Sequence, residues 1–238
     1  MIRTILAVIY LALGILLVMP WLMLWSFLTG RADLMYRVAM RVVRTGVRIM
    51  GVRVRVEGTD NIPPGVCMFA ANHVSNIDPL AFVPAIPRRV GLLVKSELFR
   101  VPILGKAMRM AGFVPVEREN REAAAGSVDE ALKYLKEGLS FAVYPEGTRS
   151  RDGRMLPFKK GAFLMAVRAK VPVVPVSIVG ALDLMRKGEW AVRPGEVTIR
   201  FGPAVDASAY TVEQRAIFLA RVEELVAAGL PEDQKPRK

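Results

Sequence analysis

The chain has 238 residues, enough for one medium domain with an appendage, and 53% of them are hydrophobic, which excludes a disordered chain. One cysteine, Cys67, and one histidine, His73, exclude an internal disulfide and a His/Cys zinc site; no metal or other cofactor is expected. A formal net charge of +12, from 24 Arg and 10 Lys against 22 acids, calls for an anionic partner: nucleic acid, a membrane surface or a phosphorylated substrate.

The charge is unevenly distributed. Residues 1–58 hold eight arginines against Asp33 and Glu57, so half of the excess lies in a quarter of the chain. The same region contains the most apolar run, Thr4 to Gly30, without one charged side chain. That pairing favours a membrane, and no aromatic-interleaved basic stripe or nucleic-acid module is present, so no nucleic-acid partner is expected.

The apolar part of this run, roughly Ile5 to Leu28, predicts a helix about 36 Å long, sufficient for a hydrocarbon core of about 30 Å. Trp21 and Trp25 near its far end suit an interface. The run is too long for a cleaved signal peptide and lacks a small-x-small site before Arg31. Pro20 is expected to kink it.

Arg37, Arg41, Arg44 and Arg48 follow at spacings of 4, 3 and 4, which sets them in one stripe of a second helix. Apolar residues fill the remaining circumference, as in a helix lying on an anionic surface. Residues 1–50 therefore read as a membrane anchor. Either the pair forms a hairpin in one leaflet or the first helix spans; in both cases the arginines put that side in the cytoplasm.

From Val52 the pattern alternates. Strands are expected at 52–57, 66–71, 90–94, 113–116, 140–144, 173–179 and 197–201. Helices are expected at 79–85, 103–110, 121–137, 160–169 and 211–228. This predicts an α/β domain over 51–230, a mixed and largely parallel sheet of about seven strands flanked by helices, then a polar tail over 231–238. Neither a Gly-x-Gly-x-x-Gly fingerprint nor a Walker loop is present.

His73 follows the expected strand 66–71, at the strand end where α/β sheets bind ligands. Asp78 lies five residues on, too far around a straight helix to meet it, so a turn must bring them together; Asp78-Pro79 also suits a helix start. A second polar turn, Tyr144-Pro145-Glu146-Gly147-Thr148-Arg149-Ser150, follows the strand 140–144. Arg149 can grip a phosphate bidentately, with Thr148 and Ser150 adding hydroxyls. Glu146 can hold a substrate hydroxyl or fix an arginine, and Gly147 permits close backbone approach. Gly112–Arg118 is a short apolar strand ending in an arginine. Val171–Val176 carries two prolines, which a sheet edge or strand start tolerates.

These four segments, in this order, resemble the four motifs of the glycerolipid acyltransferases, and within them the 1-acyl-sn-glycerol-3-phosphate acyltransferase family. The resemblance covers about residues 51–205, with Glu117 where relatives often carry Asp. It implies that His73 is the general base on the sn-2 hydroxyl of lysophosphatidic acid and that Asp78 orients its ring. It implies direct attack on an acyl thioester of acyl carrier protein or coenzyme A, without a covalent acyl-enzyme. It also implies that Arg118, Glu146, Gly147, Thr148, Arg149 and Lys95 position the acceptor and its phosphate. Backbone N–H groups near Asp78–Pro79 or at Gly147 are expected to stabilise the oxyanion. An acyltransferase acting on glycerol 3-phosphate or another lipid stays open. So does a non-catalytic lipid-binding module, which leaves His73 and Arg149 unexplained. A serine hydrolase with Ser75 as nucleophile lacks the Gly-x-Ser-x-Gly elbow.

Overall fold

The computed structural model describes residues 1–117 and 121–237. Arg118, one of the expected acceptor-side residues, lies outside them.

Three helices open the chain. α1 (Ile2–Leu13) and α2 (Met19–Thr29) form one apolar rod of 28 residues, joined through a π-helical turn at Gly14–Val18. Pro20 does not break the rod. Proline lacks the N–H that would bond one turn back, and the π-turn immediately before it absorbs the mismatch. Gly30, at φ +67°, ends α2 in the left-handed conformation that glycine adopts without strain. α3 (Asp33–Ile49) then folds back along α1. Small residues permit this contact: a Cβ on Gly14 would lie 2.9 Å from Val42, and one on Gly46 would lie 2.9 Å from Leu11. The rod is long and apolar enough to cross a membrane, at about 42 Å. Ile2, Trp21, Phe27 and Leu28 are each more than 70% exposed, as suits association with a membrane.

The remaining elements are β1 (Val52–Glu57), β2 (Met68–Ala71), α4 (Ile77–Ala85), β3 (Val90–Lys95), α5 (Leu104–Ala111), β4 (Val114–Val116), α6 (Arg121–Lys136), β5 (Ser140–Val143), α7 (Lys160–Ala169), β6 (Val173–Val179), α8 (Ala181–Leu184), β7 (Gly195–Phe201) and α9 (Arg215–Ala228). The strands form one seven-stranded sheet in the order β1-β7-β6-β2-β5-β3-β4, parallel except for β6 with β7. Every residue of β2 and β5 is buried, because helices cover both faces. Phe69 and Ala71 pack toward α3 and α4, whereas Met68 and Ala70 pack toward the layer of α6, α7 and α9. Tyr36 and Val47 of α3, with Met50 just after it, join the first of these cores, so part of the apolar face of α3 packs on the protein itself. The arginine stripe stays outside, and Arg44 donates from Nε to the Pro84 carbonyl, 3.1 Å away, at the end of α4.

Two expectations are corrected. The last helix begins at Arg215, four residues later than its pattern suggested. The proline-bearing strand lies in the sheet interior, between β7 and β2. Pro175 is tolerated there because its ring nitrogen faces the β7 side, where the ladder is interrupted. The Pro175 carbonyl, on that same side, accepts from the Gly202 N–H, and regular pairing starts only at Val176 with Phe201.

Candidate active site

Parallel pairing of β2 with β5, Met68 opposite Phe141, sends both chains out at the same sheet edge. Turns 73 residues apart in sequence therefore meet. β3 leaves at this edge too, and Lys95 is its last residue.

The first turn is organised by Asp78, which is fully buried. Its Oδ2 accepts from the N–H groups of Val74 and Ser75 and contacts His73 Nδ1, each at 2.7 Å. With Nδ1–H donated to this carboxylate, Nε2 is the ring's proton acceptor. The imidazole stacks on Tyr144, with centroids 4.1 Å apart and planes 20° apart. Its main chain is held from both sides: the N–H donates to Glu146 Oε1 at 2.7 Å, and the carbonyl accepts from the Ser150 N–H at 2.9 Å. One residue earlier, Asn72 continues the sheet with its side chain. Its Oδ1 accepts from the Ile178 N–H at 2.7 Å, and its Nδ2 donates to the Ile178 carbonyl at 3.0 Å.

His73, Asn76, Pro79, Tyr144, Arg149 and Lys95 line one part of a cavity of about 600 Å³. Apolar side chains from α1, the π-helical turn, α3, α4 and α5, among them Leu11, Ile15, Val43, Leu80 and Met108, line the rest. Arg149 Nη1 is buried there without a hydrogen-bond partner, and Lys95 pairs with Glu97 at 2.7 Å on the rim. A base, two cations and an apolar chamber thus share one enclosure.

Other expected residues have different work. Among the described residues no arginine forms an ion pair with Glu146. Its Oε1 takes the His73 N–H and its Oε2 takes the Leu156 N–H at 3.1 Å, because the register of β2 and β5 buries it behind the turn. Burial pushes its carboxyl up to about 8, although the N–H groups of His73 and Leu156 pull it down. Gly147 sits at φ +71° and does not line the cavity; its N–H donates to the Tyr144 carbonyl. Val74 and Ser75 give their N–H groups to Asp78, and Ile77 gives its own to Ser75 Oγ. None of these four N–H groups is left for an oxyanion. Ser150 Oγ bonds Asp152 and accepts from the Gly153 N–H, so it stabilises its loop and does not face a phosphate. Thr148 is exposed, 3.4 Å from Lys187 Nζ, which also reaches the Arg149 carbonyl at 3.3 Å. Ser75 Oγ is buried and donates to the Met185 carbonyl at 2.6 Å, which removes it as a nucleophile.

Sequence reasoning assigned no role to Asn72, Tyr144 or Lys187. A polar residue directly after an apolar strand was a usable signal for Asn72. Nothing local announces Lys187, which arrives from beyond β6. Among the described residues, no group of three or more His, Cys, Asp or Glu side chains is arranged to hold a metal ion.

A parallel-rich sheet presenting a histidine–aspartate pair beside an apolar chamber defines the class: the chain belongs to the acyltransferase family, whose model matches residues 53–179. Among its relatives is a 1-acyl-sn-glycerol-3-phosphate acyltransferase of Limnanthes douglasii, 30% identical over 92% of this chain and 78% of that protein. The human 1-acyl-sn-glycerol-3-phosphate acyltransferase alpha is 33% identical over 73% of this chain and 62% of that protein. The crystal structure of the 1-acyl-sn-glycerophosphate acyltransferase PlsC from Thermotoga maritima superposes with a TM-score of 0.79, at 30% identity, over 96% of this chain and 95% of that one.

Proposed function

We propose that this protein transfers a fatty acyl group from an acyl thioester to the sn-2 hydroxyl of 1-acylglycerol 3-phosphate, forming phosphatidic acid. The observation that carries this reading is the enclosure of the His73–Asp78 pair with Arg149, Lys95 and an apolar chamber. The names of the relatives support the same acceptor.

The chemistry follows from the geometry. His73 Nε2 takes the hydroxyl proton while Asp78 stays ionised and balances the imidazolium. The acceptor oxygen bonds to the thioester carbonyl carbon, and the tetrahedral centre collapses with cleavage of the C–S bond. The departing thiolate of coenzyme A or acyl carrier protein takes the proton back from the imidazolium. Histidine serves both steps unaltered, so no acyl-enzyme is required. Arg149 and Lys95 face the acceptor phosphate, and the resemblance adds Thr148 and Arg118 to the acceptor-binding residues. The apolar chamber takes an acyl chain, and its depth selects chain length.

The acceptor is a membrane lipid, and the apolar rod suits that supply. Trp21 and Trp25 sit at the interface, and the exposed Arg37, Arg41 and Arg48 face anionic headgroups. The arginine excess orients the catalytic domain to the cytoplasmic side of the inner membrane.

The deciding experiment is a transfer assay on purified protein in mixed vesicles. It crosses lysophosphatidate and glycerol 3-phosphate with acyl-coenzyme A and acyl carrier protein thioesters. Phosphatidate formed from at least one donor is the expected result. Preference for glycerol 3-phosphate, or transfer to neither acceptor, rejects the assignment.

A further inference from the structure

Glu146 is only 2% exposed, and among the described ion pairs none involves it. A buried carboxyl group without a cation needs a strong local reason. Here the reason is two main-chain N–H groups from separate segments, His73 on one side and Leu156 on the other. The His73 carbonyl is meanwhile tied to Ser150, and its ring rests on Tyr144. Three of the four contacts fixing His73 thus come from the single loop after β5, and the fourth comes from Asp78. Glu146 is the crosspiece of that loop, because its second oxygen ties the outgoing arm to the returning arm at Leu156.

We propose that Glu146 is a positioning residue for the His73 base, acting through the main chain, and is not a ligand of the acceptor. The statement rests on the reading of His73 as the base. It also explains why a glutamate stands there. Two donors approach two oxygens, whereas a glutamine offers one acceptor and turns its NH₂ toward the other donor. An aspartate is one methylene too short to span both.

The test uses the full chain and its lone histidine. Selective ¹⁵N-histidine labelling gives one backbone amide and one imidazole. In the wild-type protein the His73 amide must exchange slowly with solvent; fast exchange overturns the proposal without any variant. In Glu146→Gln, and in Glu146→Asp as the charge-retaining alternative, the imidazole signals should move. In the same variants kcat should fall about tenfold to a hundredfold, with the lysophosphatidate KM within about threefold of wild type. A raised acceptor KM at unchanged kcat identifies Glu146 as an acceptor ligand and overturns the proposal, as do unchanged imidazole signals. A wild-type protein that transfers no acyl group rejects the catalytic reading alone, since the exchange and imidazole measurements need no turnover.

Discussion

The two ends of the active-site cavity are built in opposite ways. At the polar end, atoms are fixed by hydrogen bonds of stated partner and length. Asp78, Glu146, Asn72 and Ser75 are all buried, and each is tied to main chain. At the apolar end, Ile15, Val43 and Met108 meet through contact alone, and the rod behind them leaves large apolar side chains uncovered. The difference follows from what each end must do. A proton transfer needs a nitrogen held within hydrogen-bond reach of a hydroxyl. An acyl chain and a bilayer ask only for apolar area, which is non-directional. Directional contacts are therefore concentrated in two short turns.

The sharpest way to break this comparison is at the polar end. Replacing His73 by Ala should lower kcat/KM about 10²- to 10⁴-fold in the transfer assay, because no second histidine exists to take over. Retention of more than a tenth of the activity would show that the polar end is not where proton transfer occurs. Arg149→Ala comes next. Loss of charged hydrogen bonds worth about 1.5–3 kcal/mol should reduce kcat/KM for lysophosphatidate roughly 10- to 100-fold, mainly through KM. Steady-state kinetics at two ionic strengths would check it.

At the apolar end the expected effects are smaller and lie in binding. The double change Trp21→Ser with Phe27→Ser removes two side chains that are 73% and 81% exposed, so the fold should be unaffected. Sedimentation with anionic vesicles should show partitioning weakened by about tenfold or more, given about 1.5–3 kcal/mol for each large apolar side chain fully buried. Unchanged partitioning would mean that another surface meets the lipid.

The smallest effect sharpens the account of Glu146. Its carboxyl is pushed up to about 8 in the fold against an ordinary value of 4.5, chiefly by burial. The folded state therefore holds the proton more tightly than the unfolded state does. That contribution to stability is complete below about pH 4.5 and is lost as the pH rises toward 8. Thermal unfolding should accordingly show Tm falling by several degrees across this window in the wild-type protein, and a flatter profile in Glu146→Gln. Parallel profiles for the two proteins would contradict the assignment.

Much of the catalytic pair was legible because its geometry is local. Asp78 lies five residues from His73, and the Asp-Pro step forces a turn over that interval, so their meeting needs no distant partner. The strands at 52–57 and 173–179 and the helix at 160–169 were equally plain from patterning. The surroundings of Glu146 were not legible, for the opposite reason. Its chemical type suggested a substrate hydroxyl or an arginine, yet its partners are main-chain groups of His73 and Leu156, delivered by the pairing of β2 with β5. Which N–H groups could meet an oxyanion was likewise not legible, since a residue list does not say that the turns themselves engage those of Val74, Ser75, Ile77 and Gly147.

By itself the sequence determined the period of each element, the apolar rod with its glycine stop, the arginine stripe and the lone histidine with a carboxylate in reach. These depend on neighbours within a few residues, where backbone sterics and side-chain spacing decide. Only the tertiary structure decided that part of the apolar face of α3 packs into the protein's own core, that Pro175 sits inside the sheet beside a break in the ladder, and that the Glu146 carboxyl meets the main chain of His73 and Leu156. Each of those outcomes turns on strand order and register, which bring together groups far apart in the chain.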